Sequence, residues 1–171
     1  MRTLTNDYEQ NVDFLGRALR VKESFDVLCK TLKLDNGELT LYYIDGFVKD
    51  TVMQKLMMHF LSVKKMPKSA RAFMEQSVPY VETDVCGDVD TMIQSVMSGA
   101  TLMIGTTFGA QAIIIDSRTY PARETAEPEG DRVMLGARDG FVETLIFNTA
   151  LIRRRIRSPQ LTMSYISVGR D

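Results

Sequence analysis

Apolar residues recur along this chain with two periods, and the switches between them lay out the elements. Tyr8, Val12, Leu15 and Leu19 stand at helical spacing behind Asn6 and Asp7, either of which can cap, so the pattern predicts a helix over 7–19. Residues 25–34 and 38–47 read as strands. Asp35-Asn36-Gly37 between them holds residue types that tolerate a tight turn. The second of these strands is apolar on both faces and reads as central. Val52, Met53, Leu56, Met57 and Phe60 mark the buried stripe of a helix over 50–64, with Asp50 as its cap. The run Lys64-Lys65-Met66-Pro67-Lys68 breaks that pattern, and 69–76 reads as a short helix ending before Pro79.

A second unit starts near Tyr80. Asp88 or Asp90 caps a helix containing Met92, Ile93, Val96 and Met97, closed by Gly99. Strands over 100–104 and 110–116 are joined by Gly105-Thr106-Thr107-Phe108-Gly109. The irregular stretch 117–136 is long for an internal loop. A further helix follows, capped by Asp139 and ending in Arg153, Arg154, Arg155 and Arg157. Phe141, Leu145, Ile152 and Ile156 are its expected buried stripe. Residues 161–168 read as a last strand. The fold class is therefore α/β (α+β): two small subdomains, 1–79 and 80–171, each with helices packed on a short mixed, mostly antiparallel sheet. One continuous α/β domain is the alternative.

Composition narrows the function. With 44% hydrophobic and 25% charged residues the chain is a folded globular protein. The net charge of −1 offers no global field for nucleic acid or an anionic membrane. Residues 81–171 contain arginine but no lysine, which suits planar, bidentate pairing with carboxylates. Cys29 and Cys86 form no metal-type pair and read as reduced thiols. No apolar run is long enough to cross a bilayer.

Catalytic chemistry is hard to assemble from these residues. His59 is the only histidine and has no partners at metal-ligand spacing. Asp84, Asp88 and Asp90 lack the order of a calcium loop, and capping accounts for them better. The glycines around Thr106-Thr107-Phe108 frame a hairpin and match no phosphate loop. The methionines Met53, Met57, Met58, Met92 and Met97 are core filler, or an adaptable binding face. An enzyme is not expected, nor a cofactor, a metal site or a nucleic-acid partner. Three consecutive arginines point about 100° apart on a helix, so Arg153, Arg154 and Arg155 cannot all serve one surface. They either pair with Glu124, Glu127, Glu129 and Asp131 or dock on a membrane-embedded segment. Asn148, beside the apolar stripe, must find a partner.

The run Arg138-Asp139-Gly140-Phe141, then Glu143-Thr144, then Asn148-Thr149-Ala150-Leu151-Ile152-Arg153-Arg154-Arg155-Ile156 closely resembles the A-subunit family of bacterial spore germinant receptors, the GerA family. Tyr120-Pro121, Glu127-Pro128 and the opening Asp7-Tyr8-Glu9-Gln10-Asn11 look most like its stage V sporulation AF branch. Ala137 before Arg138, and Asp139 in place of the commoner Glu, depart from the nutrient-receptor branch. The resemblance covers nearly the whole chain and implies a soluble N-terminal domain ahead of a multi-helix membrane domain. It implies a place at the spore inner membrane on the cytoplasmic (core) side, as part of an oligomeric complex that aids ion release in germination. The expected partners are the membrane domain of the same polypeptide, other subunits and further copies of the chain. In this reading Arg138 and Asp139 fix the turn, and Asn148 ties helix to lead-in. Arg153, Arg154, Arg155 and Arg157 contact the membrane domain or a neighbour. A small-molecule sensor with its ligand in a cleft between the two units is the alternative.

Overall fold

A computed structural model describes residues 2–119 and 140–169. The first helix, α1 (Tyr8–Ala18), starts at Asp7, whose carboxylate accepts from the Gln10 N–H at 3.1 Å. The chain then forms a hairpin of β1 (Val27–Leu34) and β2 (Gly37–Ile44) around the expected turn. Two helices follow: α2 (Asp50–Leu61), with Lys49 at its N-cap position, and α3 (Ala70–Ser77), capped by Ser69. β3 (Thr83–Cys86) leads into α4 (Val89–Met97), where the Asp88 carboxylate accepts from the Thr91 N–H and hydroxyl. Those bonds hold the Asp88 carboxyl below its usual range. β4 (Thr101–Gly105), β5 (Ala112–Ile115) and α5 (Leu145–Arg155) complete the order.

The strands form one five-stranded sheet in the order β1-β2-β4-β5-β3, antiparallel at every pairing. The expectation of a separate short sheet in each half is thereby corrected. β2 of the first half pairs directly with β4 of the second, Leu39 opposite Gly105 through Tyr42 opposite Leu102. The reason lies in β4, which is buried along its whole length and needs a neighbour on both edges. The 79/80 boundary falls between α3 and β3, and β3 is an edge strand of the same sheet.

Alternation along the strands splits the core into two layers. Tyr42, Ile44, Leu102, Ile104 and Ala112 face α1, α4 and α5. Leu39, Leu41, Met103, Ile113 and Ile115 face α2 and α3. β3 escapes the sequence reading because four residues, Thr-Asp-Val-Cys, are too few to show a period. The expected last strand over 161–168 does not form. Met163 instead donates its N–H to Ser24 Oγ at 2.9 Å and accepts from Phe25 N at 3.0 Å, so this segment is held to the α1–β1 loop.

Gly46 shows how closely the last helix is seated. It has φ +80, and a Cβ there would lie 3.0 Å from Ile146 and 3.2 Å from Ala150 of α5. Gly46→Ala combines left-handed backbone strain with crowding of α5 and should lower stability by about 1–2 kcal/mol. Urea unfolding of the two proteins measures this directly; an unchanged midpoint would contradict the seating of α5 on this turn.

Candidate docking surface and its buried anchor

α5 starts at Leu145, with Thr144 in the N-cap position, and not at the expected Asp139 cap. Asn148 explains the later start. Its Oδ1 accepts from Val142 N at 2.7 Å and its Nδ2 donates to Val142 O at 2.6 Å, which fixes a non-helical approach. The same clamp opens α1, where Asn11 binds both backbone groups of Thr5 at 2.9 and 2.8 Å. In each case the asparagine is the fourth helical residue and the clamped peptide lies six residues back. Arg138, Asp139 and the acidic lead-in 127–131 lie outside the described residues. Gly140, Phe141 and Glu143 are exposed.

The helix also turns a different face inward than its apolar stripe suggests. Phe141, Leu145 and Ile156 are 69%, 51% and 49% exposed, and Ile152 is half-buried. The buried positions are Thr149, Ala150 and Arg153. At about 100° per residue, Ile146, Ala150 and Arg153 share the inward face, roughly 90° around the helix from Leu145, Ile152 and Ile156. Small Ala150 is what permits close approach to the Gly46 turn. Arg153 supplies the second reason.

Arg153 is fully buried and is the largest such side chain among the described residues. Its Nε donates to Asp26 Oδ2 at 2.8 Å and its Nη2 to Asp26 Oδ1 at 3.0 Å, a two-point pair with a carboxylate that is itself 1% exposed. Nη1 reaches the Ser158 carbonyl at 2.9 Å, and Nη2 also reaches the Leu161 carbonyl at 2.9 Å. Ser24 Oγ donates to Asp26 Oδ1 at 2.5 Å and accepts from Met163 N. The Asp26 carbonyl accepts from Asp45 N at 2.8 Å. One guanidinium therefore joins α5, the segment that follows it and the α1–β1 loop, which is bonded in turn through its backbone to Asp45 just after β2. The expected outward role of Arg153 is corrected by this burial. Asp26 and Ser24 were not singled out from the sequence. The usable signal was the i, i+4, i+7 spacing of Ile146, Ala150 and Arg153, which puts one of three arginines inward.

Arg154, Arg155 and Arg157 are exposed, and Arg157 Nε bonds the Arg154 carbonyl at 3.2 Å. Exposed apolar side chains are Leu145 at the start of α5, Ile156 just after its end and, further along, Ile166 and Val168 at 84% and 90%. Tyr165 packs edge-on against Phe25 yet stays 65% exposed. Exposed cations and exposed apolar side chains thus both occur along α5 and the segment after it.

The remaining sequence candidates have structural roles. His59 Nε2 lies 3.1 Å from the Ser77 carbonyl and so links α2 to α3. Thr107 Oγ1 donates to the Pro67 carbonyl at 2.6 Å. Cys29 and Cys86 are free thiols, and burial pushes Cys29 up from its ordinary pKa. Among the described residues no His/Cys/Asp/Glu group could hold a metal ion, and no helix is long and apolar enough to cross a membrane.

Removing one partner of a buried ion pair leaves the other charge uncompensated. Arg153→Ala and Asp26→Ala should each destabilise by about 3–5 kcal/mol in denaturant unfolding. Arg153→Lys should fail to restore stability, because an ammonium cannot span the carboxylate and two carbonyls together. Arg154→Ala, at the surface, should cost less than about 1 kcal/mol. Equal effects at Arg153 and Arg154 would contradict the assignment of the anchor.

The family model described as Bacillus/Clostridium GerA spore germination protein matches residues 17–171. Stage V sporulation protein AF of Bacillus subtilis (strain 168) is 32% identical over 163 residues, covering 94% of this chain and 33% of that protein. Spore germination protein B1 of the same organism is 23% identical over 176 residues, covering 98% of this chain and 35% of that protein. The chain thus spans about a third of the length of these relatives. The crystal structure of the N-terminal domain of the A subunit of the Bacillus megaterium spore germinant receptor GerK3 superposes with a TM-score of 0.69 at 16% identity. It covers 99% of this chain and 62% of that one, and shows the same fold. With a family match across 17–171 and a relative at 32% identity, this chain belongs to the GerA family of spore germination proteins.

Proposed function

We propose that this chain is a non-catalytic coupling domain of a spore inner-membrane germination complex, on the cytoplasmic (core) side. It passes events at the membrane to assembly or gating during germination. The observation that carries this reading is the contrast within α5. Arg153 ties the helix and the segment 158–163 rigidly to the sheet, while the next arginines and their apolar neighbours face outward. A displacement applied to the outer face is then passed to the sheet through a buried, fully bonded contact and is not absorbed by a loose end. Arg154, Arg155 and Arg157, with Ile156, form the contact with a membrane domain or a neighbouring subunit. Arg153 belongs to the internal half of the coupling. Gly140, Phe141 and Glu143 form the approach to the helix, which the Asn148 clamp on Val142 holds. The relatives' names, stage V sporulation protein AF and spore germination protein B1, support the germination context.

Spores carrying Arg154→Ala with Arg155→Ala should germinate slowly or assemble the complex poorly, while the purified variant chain keeps its melting temperature within a few degrees. Wild-type germination kinetics in those spores would refute the coupling role of this face. A sharp fall in melting temperature would show instead that these arginines serve the fold.

A further inference from the structure

On the other face of the sheet, α2 packs against β1, an edge strand. A cavity of about 310 Å³ opens there, floored by Leu28 and Tyr43, which sit opposite each other in the β1–β2 register. Its wall is one flank of α2, Met53, Met57 and Leu61 at i, i+4, i+8, with Met58 beside them. Met58 and Leu61 are 64% and 54% exposed. Flexible thioethers make a surface that can adapt to different apolar side chains.

Charge gives the groove a direction. Asp45 and Asp50 line one end of it, and the lining contains no lysine or arginine. Among the described residues neither carboxylate forms an ion pair, although Lys49 is adjacent in sequence. Burial pushes the Asp45 carboxyl above its ordinary range; the hydrogen bond to Gly46 opposes this, and Asp50 and Asp26 add to it. Strand alternation puts Lys30 on the same face as Leu28, but outside the cavity lining.

We infer that this groove binds an extended, apolar peptide segment of a partner protein, with a lysine or arginine of that segment seated between Asp45 and Asp50. The cation would relieve a pair of like charges that the fold leaves unmatched, and Lys30 disfavours the reverse orientation. Open edge strands beside a helix are a recurrent peptide-binding geometry, because the edge supplies main-chain partners and the helix supplies pockets. The groove lies across the sheet from α5, so this inference stands apart from the coupling role.

The test is selection from a library of random linear peptides displayed on phage, against the immobilised 171-residue chain and two variants of it. Met58→Glu places a charge on the exposed wall. Asp45→Asn with Asp50→Asn removes the acidic end. Both should stay folded by circular dichroism, because Met58 is mostly exposed and neutralising Asp45 removes a carboxylate whose ionisation weakens the fold as pH rises. Peptides enriched on the wild-type chain should combine aliphatic residues with a lysine or arginine and bind Met58→Glu at least roughly tenfold more weakly. On the double Asn variant, aliphatic residues should still be selected and the preference for a cation should vanish. The inference is overturned by equal enrichment on Met58→Glu or by selected peptides without a cation. It is equally overturned by a cation preference that survives the double Asn variant, or by zwitterionic lipid vesicles binding the groove while no peptide is enriched.

Discussion

The rest of this structure depends on one buried ion pair. Arg153 and Asp26 lie 127 residues apart in sequence and meet at 2.8 and 3.0 Å with both side chains out of water. Taking two charges into the interior is costly, and apolar residues of similar size often serve stability as well or better. What apolar residues cannot do is set direction. The guanidinium fork binds a carboxylate on one edge and two carbonyls on the other, so it fixes the rotation of α5 and the exit path of the segment after it. Ala150 against Gly46 then has one possible seat, and the apolar stripe of α5 is forced outward.

This accounts for what was legible in the sequence. Helix starts were read well where a short polar side chain caps them, as at Asp7, Ser69 and Asp88, because capping is local. The central strands were read well because burial on both faces leaves unbroken apolar runs. Sheet order was not legible. Whether β2 turns to β4 is decided by contacts between distant segments, and both the two-unit and the one-domain layouts satisfy the same local patterns. β3 and the segment after α5 failed for opposite reasons: one is too short to show its period, and the other alternates like a strand but has its backbone bonds taken by Ser24 and Phe25.

The inward face of α5 was misread. The arginine cluster and Asn148 were singled out as residues needing partners, and the structure pairs Arg153 with Asp26 and Asn148 with the Val142 backbone. The stripe of Phe141, Leu145, Ile152 and Ile156 was assigned to the core on periodicity alone, and periodicity cannot say which of two faces is covered. A charged residue defines the inward face here, against the usual ranking in which arginine is almost never fully buried unless paired. Asp26 is that pair, and nothing in its own neighbourhood of the sequence announces it.

The outward stripe is itself an argument about the working state. Had Leu145 and Ile156 packed inward, a leucine or methionine in place of Arg153 would have served, and the helix would have ended as an ordinary surface helix with solvated arginines. Instead a buried charge holds the helix with its apolar flank exposed, at about half of the available area for both residues. Keeping such surface in water costs about 25 cal/mol per Å² relative to burying it. On the proposed coupling role, a second surface would cover the apolar face that this buried contact holds outward.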